Sequence, residues 1–333
     1  MTARLSGRTE RVRVVGLDRL PKRFESQLVS LAWSDHDPPL DLAALRRARS
    51  MGYPLAEYLG VAAVEDDQLL AQILVVRPRL TTPTGTEHFA GITGVISRPD
   101  ALGRGLSSLL FAEVHRRERA RGLRWALLWT RRTWGAHRLY ERLGYRDLYT
   151  PPAAVRRISA RMRRAATSRA SLRPARRSDS SVLGSLARSA VRGRLGFLDR
   201  SSRSFRLRFE FGWRAPSDHQ ILSVGGRPLG YFYATAGPRH VSVVEGAVRE
   251  SSQAPMLLDA IERFSAGRWL TIGYSTLVSD LRPCLVERGY DFQGRSHATL
   301  MARALSDGSA RGTAALQSVV ADPRFSCQRS DVF

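Results

Sequence analysis

The chain has 333 residues, 43% hydrophobic and 25% charged; at roughly 150 residues per domain this predicts two domains and excludes wholesale disorder. No apolar run approaches the ~18 residues that cross a bilayer, the first residues lack an apolar signal core, and Cys284 and Cys327 make neither a metal-ligand spacing nor a disulfide framework, so a cytoplasmic, metal-free protein is expected. Lys+Arg number 53 against 30 acids, a net charge of +23, and Lys22 is the single lysine; GC-rich coding accounts for the arginine bias, while the net excess keeps an anionic partner under consideration.

Residues 12–17 alternate and read as a short strand. Residues 22–33 and 40–51 carry apolar residues at helical spacing, separated by Pro38-Pro39. The β-type runs 59–64 and 69–76 flank an acidic turn and predict a hairpin, and 81–85 reads as a loop. A strand at 89–96 is followed by a Pro/Gly turn, a helix over 106–121, a buried strand at 125–129 and a helix over 134–143 stopped by Gly144. Residues 153–161 are expected to form the last strand of this half. Over residues 151–180 nine arginines, all between 156 and 177, stand against one acid, Asp179, and 165–171 reads as an exposed linker. Globular patterning resumes at Leu172 and ends with a strand at 297–304. The tail after Leu305 has little periodicity and is expected to be disordered.

The two halves repeat one another. Gly122-Leu-Arg-Trp125 and then Gly144-Tyr145 find counterparts in Gly267-Arg-Trp269 and Gly289-Tyr290, offset by 144 and 145 residues. Two copies of one α/β fold account for this most simply.

Chemistry concentrates in Gly94-Val-Ile-Ser-Arg-Pro-Asp-Ala-Leu-Gly103-Arg104-Gly105-Leu106-Ser107-Ser108, which runs from strand through glycine turn to helix start. Glycines let backbone N–H groups approach an anion, and the helix start adds its positive dipole end, which together make a pyrophosphate cradle. Ser108 stands where a dinucleotide fingerprint has its third glycine, and the Gly-Lys-Ser/Thr of a P-loop is missing. A plain strand–helix turn is the alternative. Downstream of the next strand lies Thr133-Trp-Gly-Ala136-His-Arg-Leu139-Tyr140-Glu-Arg-Leu-Gly144-Tyr145.

In these two segments the chain resembles the GNAT acetyltransferase superfamily. That family has a strand followed by Arg/Gln-x-x-Gly-x-Gly/Ala at a helix start, then a strand and a helix ending Leu-Tyr-x-x-x-Gly-Phe/Tyr. The resemblance spans about residues 10–160 and is specific over 88–147. Leu102, Ser107 and Thr133 depart from it, standing where the family has Arg or Gln, Gly or Ala, and a frequent Asn.

The resemblance implies an α/β (α+β) architecture of tandem GNAT folds, each a central mixed, mostly antiparallel sheet flanked by helices. It implies direct transfer of the acetyl group of acetyl-CoA, a cosubstrate, to a primary amine, without a metal. Val95, Ile96 and Ser97 would align the pantetheine arm, and an N–H near Val95 would polarise the thioester. Gly103, Arg104, Gly105, Leu106, Ser107, Ser108 and Thr133 would hold the rest of CoA, and Tyr140 would protonate the leaving thiolate. Glu87 and His88 are the candidate general bases, Asp66 a weaker one, with water or the terminal carboxylate of Phe333 as alternatives. His137, three residues before Tyr140, shares its helix face.

The expected organisation is a catalytic domain over 1–162, a basic linker over 163–171, a second GNAT-like domain over 172–305 and a tail over 306–333. The second copy is expected to be degenerate: its turn, Glu245-Gly-Ala-Val248-Arg-Glu-Ser-Ser-Gln-Ala-Pro255, lacks the glycines, and Leu285 replaces Tyr140. The acceptor is left open, and homo-oligomerisation is compatible with the sequence. The competing expectation is a nucleic-acid- or ribosome-associated protein with a GNAT-like shell, using its basic linker for RNA or DNA.

Overall fold

The computed structural model describes residues 12–33, 47, 50–51, 60–163, 170–197, 200–211, 215–273, 276–293, 298–306 and 309–327. Of the helix expected over 40–51 only Arg47, Ser50 and Met51 fall among them, and Phe333 lies outside. The first half contains β1 (Arg13–Gly16), α1 (Glu25–Trp33), β2 (Gly60–Glu65), β3 (Gln68–Val76), β4 (Arg79–Thr82), β5 (Gly85–His88), β6 (Ala90–Ser97), α2 (Leu106–Ala120), β7 (Trp125–Arg131), α3 (Gly135–Arg142) and β8 (Arg146–Tyr149). The rest contains β9 (Ala153–Arg157), β10 (Ala170–Pro174), α4 (Ser180–Ala190), β11 (Leu195–Gly196), α5 (Ser202–Phe211), β12 (His219–Val224), β13 (Arg227–Ala236), β14 (His240–Val248), α6 (Ala254–Phe264), β15 (Trp269–Gly273), α7 (Thr276–Glu287), β16 (Asp291–Gln293), β17 (Ala298–Ala304), α8 (Ser309–Ala321) and β18 (Phe325–Ser326).

Two seven-stranded sheets have matching orders, β1-β2-β3-β6-β7-β17-β8 and β10-β12-β13-β14-β15-β9-β16. Each contains one parallel pair, β6 with β7 and β14 with β15, among antiparallel neighbours. The sixth position of each sheet is filled from the other half: β17 lies between β7 and β8, and β9 between β15 and β16. Residues 153–161 therefore do not close the first sheet, and the strand near 298 does not close the second. The boundaries at 162 and 305 cut across this exchange. Alternation specifies which face of a strand is buried; it carries no information about which sheet receives it.

Helix α2 buries the stripe Leu106, Leu110, Phe111 and Val114 against one face of the first sheet, joined by Tyr140 and Tyr145. The other face takes Phe24, Leu28 and Leu31 from the α1 region and Leu207 from α5, so α5 spans both halves. The second sheet is covered by α6 and α7 on one face and by α4 and α5 on the other. The stretch 81–85, expected as a loop, is the turn of the β4–β5 hairpin. That hairpin joins β11 and β18 in a small third sheet. The tail is consequently ordered where described: α8 buries Leu316 and Val319, and Phe325 and Cys327 pack beside them. Its small residues give a weak periodic signal, and its stability comes from tertiary packing.

Part of the arginine excess is internal. Arg156 lies 3.5 Å from buried Glu262, which also takes Arg288 and the Tyr290 hydroxyl at 2.7 and 2.8 Å, so the exchanged strand is tied to α6. Arg303 of β17 donates to the Leu143 carbonyl at the end of α3, the reciprocal tie.

Candidate active site

Strands β6 and β7 are in parallel register only over Ala90–Ile92 and Ala126–Leu128. Both continue, to Ser97 and Arg131, so beyond Ile92 and Leu128 they diverge and leave a wedge between them. On its other side β6 is bulged: Thr93 pairs with Leu74 and Ile96 with Gln72, while Gly94 and Val95 have no register partner. Gly94 makes the bulge at φ +53, and a Cβ there would meet Leu74 Cδ1 at 2.8 Å. A bulge beside a divergence re-aims backbone amides out of the ladder.

From Ser97 the chain turns through a short 3-10 segment, Pro99–Ala101, to Gly103 and Gly105 at φ +76 and +75. Helix α2 starts at Leu106 with Gly105 as a left-handed N-cap and no side-chain cap. The first amides of a helix have no intrahelical partner, so Leu106, Ser107 and Ser108 present donors and a positive dipole end to the wedge. Ser107 is half-buried and Ser108 exposed.

Arg104 is not aimed at this space alone. Its guanidinium forms two bonds to Glu65, at 2.7 and 3.1 Å, joining the β2–β3 hairpin to the turn. Nothing in the sequence marks Glu65 for this role, 39 residues away on a different element. Asp66, in the same hairpin turn, takes φ +51 and is exposed, which is a turn function. Thr133 is exposed in the turn between β7 and α3.

Tyr140 lies on the inner side of α3, 7% exposed, with its ring 5.7 Å from Phe111 and 6.2 Å from Tyr145. Tyr145 is fully buried and hydrogen-bonded to His115 Nε2 at 2.9 Å. Burial, with the charges of Arg303 and Arg119, lowers the His115 pKa to about 3, and burial raises that of Tyr145. Beside them a groove of about 300 Å³ is lined by Ser108, His115, Arg116, Arg119, Leu143 and Arg303. Neither His115 nor Arg303 stands out in the sequence, because the first reads as one more helix residue and the second as part of another domain.

Glu87 and His88 are in β5, at the start of β6, and Glu87 is ion-paired with Arg124 just before β7. The parallel strands begin there and diverge at their other ends. Six residues separate His88 from Gly94, roughly 20 Å of extended chain, and both candidate bases stand at the paired end of β6. His137 packs between α3 and β8, with Nε2 3.1 Å from Asp147 and Nδ1 3.5 Å from Glu141, so its contacts are a structural latch. Burial opposes the Asp147 charge, but bonds from His137 and Arg132 hold its pKa below the usual carboxylate range.

In the second half β14 and β15 likewise stay in register only over His240–Val243 and Trp269–Ile272. Beyond that register β14 carries a buried charge cluster. Glu245, fully buried, accepts from the Tyr231 hydroxyl at 2.6 Å and pairs with Arg208 and Arg200 at 3.0 and 3.3 Å. The Glu250 side chain accepts from the Gln253 amide before α6, and Leu285 is wholly buried. Among the described residues no helix is long and apolar enough to cross a membrane, and no three His, Cys, Asp or Glu side chains gather as metal ligands.

A wedge between parallel strands, opening beside an uncapped, glycine-led helix start, is the arrangement that the resemblance to GNAT acyltransferases implies. Residues 25–147 match the family model described as acetyltransferase (GNAT) domain. No curated protein matches the sequence. The fold is similar to a GCN5-related N-acetyltransferase from Kribbella flavida (TM-score 0.62, 18% identity, 88% of this chain and 71% of that one). It is similar to one from Anabaena variabilis (0.62, 13%, 89% and 73%). It also resembles Saccharomyces cerevisiae N-myristoyltransferase with bound myristoyl-CoA (0.50, 10%, 88% and 82%). At these identities the likeness is one of fold.

Proposed function

We propose that the chain is an acetyl-CoA-dependent N-acetyltransferase acting on a primary amine. The observation that carries this is the divergence of β6 and β7 beyond Ile92 and Leu128, beside the Gly103–Gly105 turn. Main-chain amides of Gly103, Arg104, Gly105, Leu106, Ser107 and Ser108 would hold the pyrophosphate, as helix starts hold anions generally. Ile96 and Ser97 would align the pantetheine arm through their backbone, with Thr133 closing the far side. The three arginines of the groove beside α2 favour the 3′-phosphate end of the same molecule.

In the transfer the amine nitrogen bonds to the thioester carbonyl carbon and the C–S bond breaks. The Val95 amide, freed from the ladder by the Gly94 bulge, would donate to the carbonyl oxygen as charge builds there. Tyr140 would give its proton to the departing thiolate and recover one from solvent. Water takes the ammonium proton, since Glu87 and His88 lie at the other end of β6.

The test is a thiol-release assay of the full chain with acetyl-CoA and a panel of amines, with acetylated product identified by mass spectrometry. CoA release that depends on an amine supports the proposal; release absent with every amine opposes it.

A further inference from the structure

The acyl-transfer wedge leaves most of the +23 charge unused. Within the 156–177 run, Arg156 turns to Glu262, Arg173 pairs with Asp179 and Arg177 with Glu210. Arg157 belongs to another surface. It stands in register with Trp269 on β15, and Trp269 in register with His240 on β14. The neighbouring row, Arg156, Leu270 and Val241, faces the α6–α7 core, so Arg157, Trp269 and His240 share the opposite face. All three are exposed, Trp269 by 49%.

More cations surround this row. The Trp269 amide donates to the carbonyl of Arg239, whose side chain is exposed. An open depression of about 670 Å³ adjoins it, lined by Ala160, Arg161, Pro238, Gly267 and Arg268 among others. Arg157 donates to the Gly267 carbonyl, and Arg268 stacks over Phe264 at 5.5 Å. The three segments 157–161, 236–240 and 265–269 hold four arginines, Arg157, Arg161, Arg239 and Arg268, and no acid.

An exposed indole between a guanidinium and an imidazole suits a flat ring carried on an anionic chain. A duplex buries the faces of its bases, so only an unpaired base can lie on Trp269. The depression is open and acid-free, which suits a polyanion crossing it rather than an enclosed small ligand. We propose that this end of the second sheet docks single-stranded nucleic acid, one base stacking on Trp269 and the phosphates lying along Arg157, Arg161 and Arg239. The surface is separate from the wedge, and the proposal does not depend on the acetyltransferase activity.

The experiment is fluorescence anisotropy of the full chain with labelled single strands of about 12 nucleotides, in a salt titration around 150 mM. Trp269→Ala is expected to weaken binding about tenfold, with Trp269→Phe keeping most of it, because stacking needs any aromatic face. Arg157→Ala with Arg161→Ala should reduce the slope of log K against log salt by about 1.4, two phosphates' worth for a single strand. Unchanged thermal melting of each variant shows that the fold is intact. The proposal is overturned if Trp269→Ala binds like the parent, if a duplex binds as tightly as the single strand, or if polyglutamate competes equally. The first two outcomes mark plain polyelectrolyte attraction, and the third an acidic-protein site.

Discussion

Arg104 and Glu65 form a two-bond ion pair, Nη2 to Oε1 at 2.7 Å and Nη1 to Oε2 at 3.1 Å, that clasps the β2–β3 hairpin onto the glycine turn. The pair places a carboxylate beside the amides proposed to hold pyrophosphate. Releasing the guanidinium should therefore help an incoming anion. Glu65→Gln is expected to tighten acetyl-CoA binding a few-fold, and Arg104→Ala to weaken it about tenfold, since main-chain donors persist. Calorimetric titration of both variants checks the opposite signs.

Gly94 combines φ +53 with a Leu74 contact that a Cβ could not make without displacement. Gly94→Ala is expected to lower stability by about 1–3 kcal/mol through left-handed strain and crowding. Turnover should fall by more than stability accounts for, because the bulge aims the Val95 amide. Urea unfolding and the thiol-release rate, measured on the same sample, separate the two effects.

Tyr140→Phe removes one hydroxyl and keeps the ring packed on Phe111 and Tyr145. As a general acid, Tyr140 should contribute about 10²–10⁴ to kcat, with the KM for acetyl-CoA little changed. A kcat within a factor of two of the parent would assign Tyr140 to packing alone.

His115 is held neutral in the fold, with its pKa lowered to about 3, against about 6.5 in an unfolded chain. Between those values the unfolded chain binds the extra proton, so stability is complete above about pH 6.5 and falls as pH drops toward 3. The slope from this one group reaches about 1.4 kcal/mol per pH unit. His115→Gln should flatten the stability–pH curve in that window relative to the parent, which chemical denaturation at several pH values measures.

Strand β17 pairs with β7 over seven residues and also with β8, so the first sheet is incomplete without the second half. A fragment of residues 1–162 should fail to give a cooperative thermal transition, while the full chain unfolds in one. Two separable transitions in the full chain would contradict the coupling.

The chain order of the central region was legible in sequence. Strand, glycine turn, α2, β7 and α3 fall within a few residues of where periodicity and Gly144 put them, because each is specified by local signals. Strand exchange was not legible, since Ala153–Arg157 and Ala298–Ala304 read as strands without naming a sheet. The placement of Glu87 and His88 was not legible for a related reason: nearness to β6 in sequence does not reveal that the pair β6–β7 opens at its far end. Glu65 and Arg303 reach the site from other elements, and contacts across 39 residues or more have no local signature. The tail's order depends on partners in β11 and on the first sheet, which its own composition does not show.

The central claim is one acyl-CoA wedge per chain, between β6 and β7, the second half having no glycine-led helix start and a buried Glu245 on β14. Isothermal titration of the full chain with acetyl-CoA tests it most directly. The expected result is saturable binding at one site per chain, lost or strongly weakened when Gly105 is replaced by Val. No binding at millimolar acetyl-CoA, or two sites per chain, would contradict it.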